Sequence, residues 1–374
     1  MISSRAGRIS ALLAVTAIAV GACSSGSGSS PSASAAASAA APSAAASESA
    51  AASAGASAAA SGSGSLKVTF IPKQINNPYF DAAKVGADKA ASELGGTVTQ
   101  VGPSSATEAQ ASFIQDATTQ GVSAIAISAN DPNAVVPALT AAKAAGIKVV
   151  GYDSSPAAGA YDVFVNQTDF SLIGQAMADW ACDLAPSCTG DIAILSAAAT
   201  ASNQNTWIDN MKTVLKGDKY KNLKLVDTVY GDDDPQKSTT QAQGLLQTHP
   251  NLKVIIAPTT VGILAAAQVV SGQKKQDSVK VTGLGFPKQM AAYVKDGTAP
   301  EFGLWSVPDL GYLTMYVADA LVKGTITGKQ GETLTVPNLN NGAPYTIGAN
   351  STIILGPPLT FDKNNIDAQN WGPS

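Results

Sequence analysis

The strongest constraint on the fold of this chain is a regular alternation of strand-like and helix-like segments through residues 66–374. Short apolar runs predict strands at Val68–Ile71, Thr97–Val101, Ala124–Ser128, Lys148–Tyr152, Val163–Asn166, Asp191–Ser196, Lys224–Val229, Val254–Ala257, Val279–Leu284 and Glu301–Trp305. Helices are predicted between most of them, as at Thr107–Gln120, Ala134–Ala145, Ser171–Leu184, Asn205–Leu215, Gln236–Thr248, Ile263–Ser271 and Pro308–Leu321. Strict alternation of this kind predicts an α/β fold with parallel sheets covered by helices on both faces.

The same segments indicate two lobes. Residues 66–374 are enough for two domains of ordinary size. We expect the first five strands to form one sheet and the next four to form a second, with the boundary near Asn166 to Phe170.

The segment between the first strand and the first helix is a candidate ligand site. Asn77 can cap the helix and Pro78 can fill its first position, where no amide hydrogen is needed. Ligands of open α/β sheets bind at the carboxyl ends of the strands. The polar and aromatic side chains expected there are Lys73, Gln74, Asn77, Tyr79 and Phe80. The alternative for the two aromatic rings is that they belong to the core.

The N-terminal residues 1–22 have the features of a secretion signal. Arg5 and Arg8 precede an apolar run, Ala11–Val20, that is too short to span a bilayer. The residues Val-Gly-Ala-Cys that follow resemble a bacterial lipobox, which predicts that Cys23 carries lipid and tethers the chain to a membrane. An ordinary signal peptide with a coincidental cysteine is the alternative. Residues 23–65 are almost wholly Ala, Ser, Gly and Pro, which predicts a disordered linker.

Charge and motif content exclude several functions. The formal net charge is −4, and about −6 without Arg5 and Arg8, with no basic patch for nucleic acid. No other run is long and apolar enough for a second membrane span. His249 is the single histidine and no G-x-S-x-G motif occurs, so we predict neither a metal site nor a catalytic triad. The acidic run Asp232–Asp234 before Pro235 is interpreted as structural, with a helix cap at its end.

Cys182 and Cys188 lie close together in the sequence WACDLAPSC. In an exported protein this spacing predicts a local disulfide. Two free buried thiols are the alternative.

Several motifs together resemble the periplasmic-binding-protein superfamily. They are FIPKQINNPYF, AIAISANDPNAVVPAL, VVGYDSS, TASNQNTW, IIAPTTVGILAAA, LGFPKQM followed by VKDG, and FGLWSVPDLGYL, and the resemblance covers Leu66 to Trp371. Within the ribose-binding-like branch, the chain is most similar to the rhamnose-binding and autoinducer-2-binding solute receptors of bacterial ABC importers. The resemblance implies a type I receptor with two doubly wound, Rossmann-like lobes and a multi-strand hinge.

The resemblance also implies how the chain is divided and what it does. We expect residues 66–168 and 303–338 in the N-terminal lobe and residues 169–302 and 339–374 in the C-terminal lobe. The implied protein is a monomeric lipoprotein outside the cytoplasm that binds a small sugar and delivers it to ABC permease subunits, with no cofactor and no catalysis. A chemosensory sugar receptor, which uses the same fold, and a secreted glycosidase that uses Asp153 are the alternatives.

Five candidate ligand contacts are implied in the first lobe. Lys73 matches a lysine that hydrogen-bonds a ligand hydroxyl in autoinducer-2 receptors. Asn77, Tyr79 and Phe80 match the positions that wall the sugar in ribose-type receptors. Asp153 matches an aspartate whose two oxygens accept paired hydroxyls, although it could instead cap the following loop.

Five more are implied, four of them on the other side of the cleft. Asn203 and Gln204 match a polar pair, although Asn203 could merely cap its helix. Pro258 and Thr260 match cleft-lining positions, and Trp305 lies where the branch often places a ring or an amide against the sugar. A neutral sugar needs such forked donors and acceptors together with an apolar surface for its C–H groups.

Two departures from the family pattern bear on the ligand. Ribose receptors have an aspartate in the region where this chain has Gly285, and autoinducer-2 receptors have an acidic residue at the position of Asn203. The loss of a carboxylate acceptor weakens binding of a hydroxyl donor by ~1–3 kcal/mol. We therefore expect a rhamnose-like deoxyhexose in preference to autoinducer-2, with its methyl group against Phe80, Pro258 or Trp305.

Overall fold

A computed structural model of the chain describes residues 65–105, 108–369 and 371–373. The predicted signal segment, Cys23 and the linker up to residue 64 lie outside these residues. In chain order the strands are β1 (Lys67–Ile71), β2 (Thr97–Gln100), β3 (Ala124–Ile127), β4 (Lys148–Tyr152), β5 (Val163–Asn166), β6 (Gly190–Ser196), β7 (Leu223–Tyr230), β8 (Leu252–Ala257), β9 (Lys280–Gly283), β10 (Glu301–Leu304), β11 (Thr333–Leu334), β12 (Tyr345–Thr346), β13 (Thr352–Ile354) and β14 (Leu359–Asp362). The α-helices are α1 (Pro78–Glu93), α2 (Ala111–Thr119), α3 (Val136–Ala144), α4 (Phe170–Leu184), α5 (Ser202–Val214), α6 (Pro235–Thr248), α7 (Thr260–Gly272), α8 (Pro287–Lys295) and α9 (Val307–Lys323).

Ten of the strands form two parallel sheets, as predicted, and the other four form two antiparallel pairs, β10-β14 and β11-β12. The first sheet has the order β13-β5-β4-β3-β1-β2 and the second the order β7-β6-β8-β9, with every pairing parallel. All residues of β3 are buried, and so are the last four of β8, which is typical of central strands covered by helices on both faces. We call the body around the first sheet the first lobe and the body around the second sheet the second lobe.

The C-terminal part of the chain is shared between the lobes. β13 pairs with β5 at the edge of the first sheet, whereas β14 pairs antiparallel with β10, which is bridged to the end of β9. The expectation that residues 339–374 lie wholly in the second lobe is therefore wrong for β13. Its pairing with β5 covers a sheet edge that would otherwise be exposed. The chain passes between the lobes after β5, after β10 and after β13.

Helix α9 packs on the first lobe through a close helix contact. It lies against α1 and over β3, β4 and β5. A Cβ atom at Gly311 of α9 would lie 1.8 Å from the carbonyl oxygen of Ala83, and one at Gly86 of α1 would lie 1.7 Å from that of Pro308. The lack of a side chain at each glycine therefore allows the backbones of the two helices to approach each other closely.

Cys182 at the end of α4 is joined to Cys188 by a disulfide with an S–S distance of 2.05 Å, as the spacing of the two cysteines predicted.

Among the described helices, none has the length and apolar character needed to cross a bilayer.

Candidate ligand-binding site

A cavity lies between the two lobes, at the carboxyl ends of their strands. All ten ligand contacts expected from the sequence line it, and they are Lys73, Asn77, Tyr79, Phe80, Asp153, Asn203, Gln204, Pro258, Thr260 and Trp305. Five residues that were not expected complete the lining, and they are Trp207, Asp233, Thr259, Leu284 and Leu304. The position, between two lobes and at strand ends, is that of a pocket for a small molecule.

The start of α1 forms one wall of the cavity. Asn77 is the N-cap residue, and its Oδ1 accepts a hydrogen bond from the Tyr79 backbone N–H at 3.0 Å. Pro78 follows in the first turn, as predicted. Capping uses only the oxygen of the Asn77 side chain, and the residue also lines the cavity. Gln74, the other polar candidate in this segment, does not line the cavity.

The two aromatic rings of this wall serve the core and the cavity together. Tyr79 and Phe80 are both buried, and Phe80 packs edge-to-face on the core ring of Tyr152 with centroids 6.3 Å apart. Both rings also line the cavity. The core interpretation and the ligand interpretation are thus compatible for these residues.

Asp153 lies at the floor of the first-lobe side. Its backbone φ is 58°, in the left-handed region, and this conformation belongs to the turn that follows β4. Its Oδ2 accepts a hydrogen bond from Ser128 Oγ at 2.7 Å and lies 3.7 Å from Lys73 Nζ. Within the described chain no backbone N–H donates to this carboxylate, so the loop-capping alternative does not account for its position.

A buried hydrogen-bond chain connects Asp153 to the hinge. Trp305 Nε1 donates to the Tyr79 hydroxyl at 3.0 Å, and that hydroxyl donates to Asp153 Oδ1 at 3.1 Å. Burial, and secondarily the Asp153 charge, raise the pKa of Tyr79 well above its usual value. Tyr79 therefore keeps its proton and remains a donor to the carboxylate.

Asn203 connects the second lobe to the first. Its Oδ1 accepts a hydrogen bond from Lys73 Nζ at 3.0 Å, and its Nδ2 lies 3.4 Å from Asp153 Oδ1. The N-cap of α5 is Ala201, so Asn203 is not the cap of its helix. Ser154 Oγ and Ser202 Oγ are also in contact across the cleft, at 3.1 Å. The lobes are closed on each other in this structure.

Gln204 is oriented by the end of β6. Its Oε1 accepts from Ser196 Oγ at 2.7 Å and from the Ala197 backbone N–H at 2.9 Å. Its Nε2 makes no hydrogen bond to any described residue. A fixed oxygen and an unused nitrogen make the amide an oriented donor to the cavity.

Asp233 is the site residue that sequence reasoning missed. The structural interpretation holds for its neighbours, because Asp234 caps α6 through the Lys237 backbone N–H at 2.6 Å and Asp232 forms an ion pair with the Lys237 side chain. Asp233 instead lines the cavity with 8% of its surface exposed. One signal was present: three carboxylates follow a strand although one is enough for the cap.

Trp207 on α5 was also missed as a cavity residue. Its ring lies 5.8 Å from the Trp305 ring and 5.7 Å from the Phe170 ring, between centroids. Its Nε1 is buried and donates to no described atom. A buried donor without a protein partner is usually satisfied by water or a ligand.

Gly285 marks where the chain departs from the ribose-receptor pattern. A Cβ atom there would lie 2.9 Å from Met290 Cγ and 3.0 Å from Ile263 Cγ2, so the position is closed by apolar packing. Leu284 lines the cavity instead. Among the described residues, no group of three or more His, Cys, Asp or Glu side chains is placed to hold a metal ion.

Comparison with known proteins places this geometry in a family context. Residues 68–326 match the family described as periplasmic binding protein domain. A crystal structure of an ABC transporter solute binding protein from Clostridium phytofermentas with bound L-rhamnose is 42% identical, with a TM-score of 0.80, over 82% of this chain and 98% of that chain. LsrB from Clostridium saccharobutylicum in complex with AI-2 is 25% identical, with a TM-score of 0.76, over 82% of this chain and all of its own, 100%. The ribose import binding protein RbsB of Bacillus subtilis is 25% identical over 251 residues, which are 67% of this chain and 79% of that protein.

Proposed function

This chain belongs to the periplasmic binding protein domain family, and on that premise we propose that it is the sugar receptor of a bacterial ABC importer. Proteins of this family bind solutes and are not enzymes, in agreement with the absence of catalytic motifs from the sequence. The observation that carries the proposal is the convergence of polar side chains from both lobes on one cavity. The ten expected contacts are the proposed ligand-binding residues.

The arrangement supports a receptor that closes around its ligand. Lys73 and Asn203 come from different lobes and meet at 3.0 Å, so this hydrogen bond exists only when the cleft is closed. A ligand that contacts both walls binds the closed state better than the open one, and it shifts the population toward closure. The permease then recognises the closed receptor, and no chemical step is required.

The favoured ligand is a rhamnose-like deoxyhexose. The 42% identical solute binding protein holds L-rhamnose, and the lining of this cavity combines polar groups with apolar surface from Phe80, Leu284 and Leu304. That surface suits a 6-methyl group. Autoinducer-2 is the second candidate, because a 25% identical relative is in complex with AI-2 and Lys73 resembles a ligand-binding lysine of the autoinducer-2 receptors.

The chain is proposed to act outside the cytoplasm, tethered by lipid on Cys23 and by the linker 23–65. The support is the signal-like segment 1–22 and the lipobox-like residues before Cys23. Labelling cells with a fatty-acid analogue tests the anchor. The wild-type chain is expected to carry label and to sediment with membranes, whereas Cys23→Ser is expected to be unlabelled and released.

A binding panel tests the sugar assignment. Isothermal titration with L-rhamnose, D-ribose, D-arabinose and autoinducer-2 is expected to give saturable binding, tightest for L-rhamnose. A ligand at ~100 times its dissociation constant is also expected to raise the unfolding free energy by ~2.7 kcal/mol, which a thermal-shift assay detects. The absence of binding and of a thermal shift with every sugar in the panel would contradict the proposal.

A further inference from the structure

Asp233 is a buried carboxylate that the architecture of the second lobe does not require. It lies in the loop between β7 and α6, where its backbone φ is 52°. Its neighbours Asp232 and Asp234 account for the surface ion pair and the helix cap of this loop. The carboxylate of Asp233 lines the cavity beside Thr259.

The hydrogen bonding of Asp233 is incomplete. Its Oδ1 accepts a hydrogen bond from Thr259 Oγ1. Within the described part of the chain, its Oδ2 accepts no hydrogen bond and no lysine or arginine lies within ion-pair distance. A buried carboxylate with an unused oxygen is costly unless another donor completes it. The cavity is the place from which such a donor would come.

The charges around the cavity indicate which kind of ligand can donate a hydrogen bond to Asp233. Lys73 is the single cation among the described lining residues, and it is engaged with Asp153 and Asn203. Asp153 and Asp233 contribute two carboxylates, so an anionic ligand would meet an excess of negative charge in a buried space. Hydroxyl groups of an uncharged ligand can donate to both carboxylates without adding charge.

Resting on the proposed function, we infer that Asp233 is a second-lobe acceptor for ligand hydroxyls and that, with Asp153 in the first lobe, it restricts the ligand to uncharged polyols. The ligand must then present hydroxyl donors toward both lobes. Sugar acids and sugar phosphates are excluded even when their rings fit. Asp233 would also supply, from a different loop, a carboxylate on the side of the cleft where Asn203 and Gly285 provide none.

Isothermal titration of the mature chain tests the inference, with Asp233→Asn as the variant and Asp232→Asn as the matched control. The probes are the neutral sugar that the wild type binds most tightly and D-galacturonate as an anionic sugar. Loss of one charge-assisted hydrogen bond predicts that Asp233→Asn binds the neutral sugar about 10- to 150-fold more weakly. Asp232→Asn is expected to stay within about twofold of wild type, because its carboxylate pairs with Lys237 at the surface.

A second variant distinguishes direct contact between Asp233 and the ligand from a role of Asp233 in positioning Thr259. Thr259→Val removes the hydroxyl that donates to Asp233 and leaves the carboxylate in place. If Asp233 contacts the ligand, Thr259→Val loses less affinity than Asp233→Asn. An equal loss in both variants would indicate that Asp233 only positions Thr259, and it would overturn the inference.

The wild-type chain provides a test that needs no variant. The charged and titratable groups facing Asp233 are Lys73, Asp153 and Asp232. Because burial raises the pKa of Asp233, affinity for the neutral sugar is expected to fall as the pH is lowered through that pKa, since protonation removes the acceptor. A wild-type affinity that stays constant down to the lowest pH at which the chain remains folded would count against the inference even if Asp233→Asn failed to fold.

The outcomes distinguish this inference from the proposed function. If the wild type binds a neutral sugar and Asp233→Asn loses less than about fivefold, the inference is overturned and the receptor function stands. Binding of D-galacturonate as tightly as the neutral sugar would overturn the restriction to uncharged ligands. If the wild type binds no sugar, both the function and the inference fail.

Discussion

Tyr79 occupies the middle of the buried hydrogen-bond chain, and Tyr79→Phe removes its hydroxyl without changing the ring. The hydroxyl accepts from Trp305 Nε1 at 3.0 Å and donates to Asp153 Oδ1 at 3.1 Å. Its removal leaves Trp305 Nε1 without a partner and leaves Asp153 Oδ1 with only the longer contact to Asn203 Nδ2, at 3.4 Å. Each unsatisfied group costs about 1–3 kcal/mol. Because a water molecule can replace part of the loss, we expect a total destabilisation of about 2–4 kcal/mol.

The expected effect can be measured in two ways. For a folded region of about 300 residues, 2–4 kcal/mol corresponds to a decrease in melting temperature of roughly 3–6 °C. Ligand affinity is expected to fall about tenfold as well, because Asp153 loses a donor that fixes its orientation. Calorimetric melting of the ligand-free protein and titration with the best sugar measure the two effects separately.

Tyr161→Phe is the matched control. The Tyr161 hydroxyl donates to the Asn350 carbonyl oxygen at 3.2 Å, at the protein surface and away from the cavity. Its removal is expected to change stability by less than about 0.5 kcal/mol and affinity not at all. If Tyr79→Phe melted within about 1 °C of wild type and bound sugar equally well, the hydrogen-bond chain would have neither role, and the reasoning would be refuted.

Two further predictions concern the helix contact and the buried acid. Gly311→Ala is expected to lower the melting temperature by several degrees, because its Cβ would lie 1.8 Å from the Ala83 carbonyl oxygen. Gly272→Ala is the control and is expected to be neutral or slightly stabilising, because a Cβ there would have no atom within 4 Å. Equal melting temperatures of the two variants would contradict this prediction. Because burial raises the pKa of Asp233 in the folded state, its contribution to stability is present at low pH and is lost as the pH rises through the folded pKa. In denaturant melts, ligand-free Asp233→Asn is therefore expected to gain stability relative to wild type as the pH rises above the unfolded-state pKa of about 4, and a constant difference would show that this carboxyl does not titrate as inferred.

The sequence was sufficient for the two-sheet architecture because the signals that specify it are local. Each parallel strand in the centre of a sheet is a short apolar run, and each crossover helix carries its own periodicity. β13 was missed for the opposite reason. Thr352–Ile354 is a three-residue segment with no pattern of its own, and it becomes a strand only because β5 leaves an edge for it.

The ligand site likewise contains residues that the sequence identified and a residue that it did not. Positions such as Lys73 and Asp153 stand in motifs that place them at strand ends, and the structure brings them together at the cavity. The cap could be assigned to Asp234 because Pro235 follows it, but spacing could not separate Asp233 from Asp232. Both have positive φ, and only the tertiary structure shows that Asp232 pairs with Lys237 whereas Asp233 lines the cavity.

The neutral amide of Asn203 and the carboxylate of Asp233 together determine where negative charge lies on the second-lobe side of the cavity. Asn203 Nδ2 lies 3.4 Å from Asp153 Oδ1, so a carboxylate at position 203 would face another carboxylate with Lys73 as their shared cation. The neutral amide avoids this repulsion and donates where an acid could only accept. It also leaves the second lobe without a carboxylate at that point, and the Asn203 oxygen is already engaged by Lys73. A carboxylate at Asp233, held by Thr259 in a different loop, restores the acceptor at a position where no ion-pair contact with Lys73 forms.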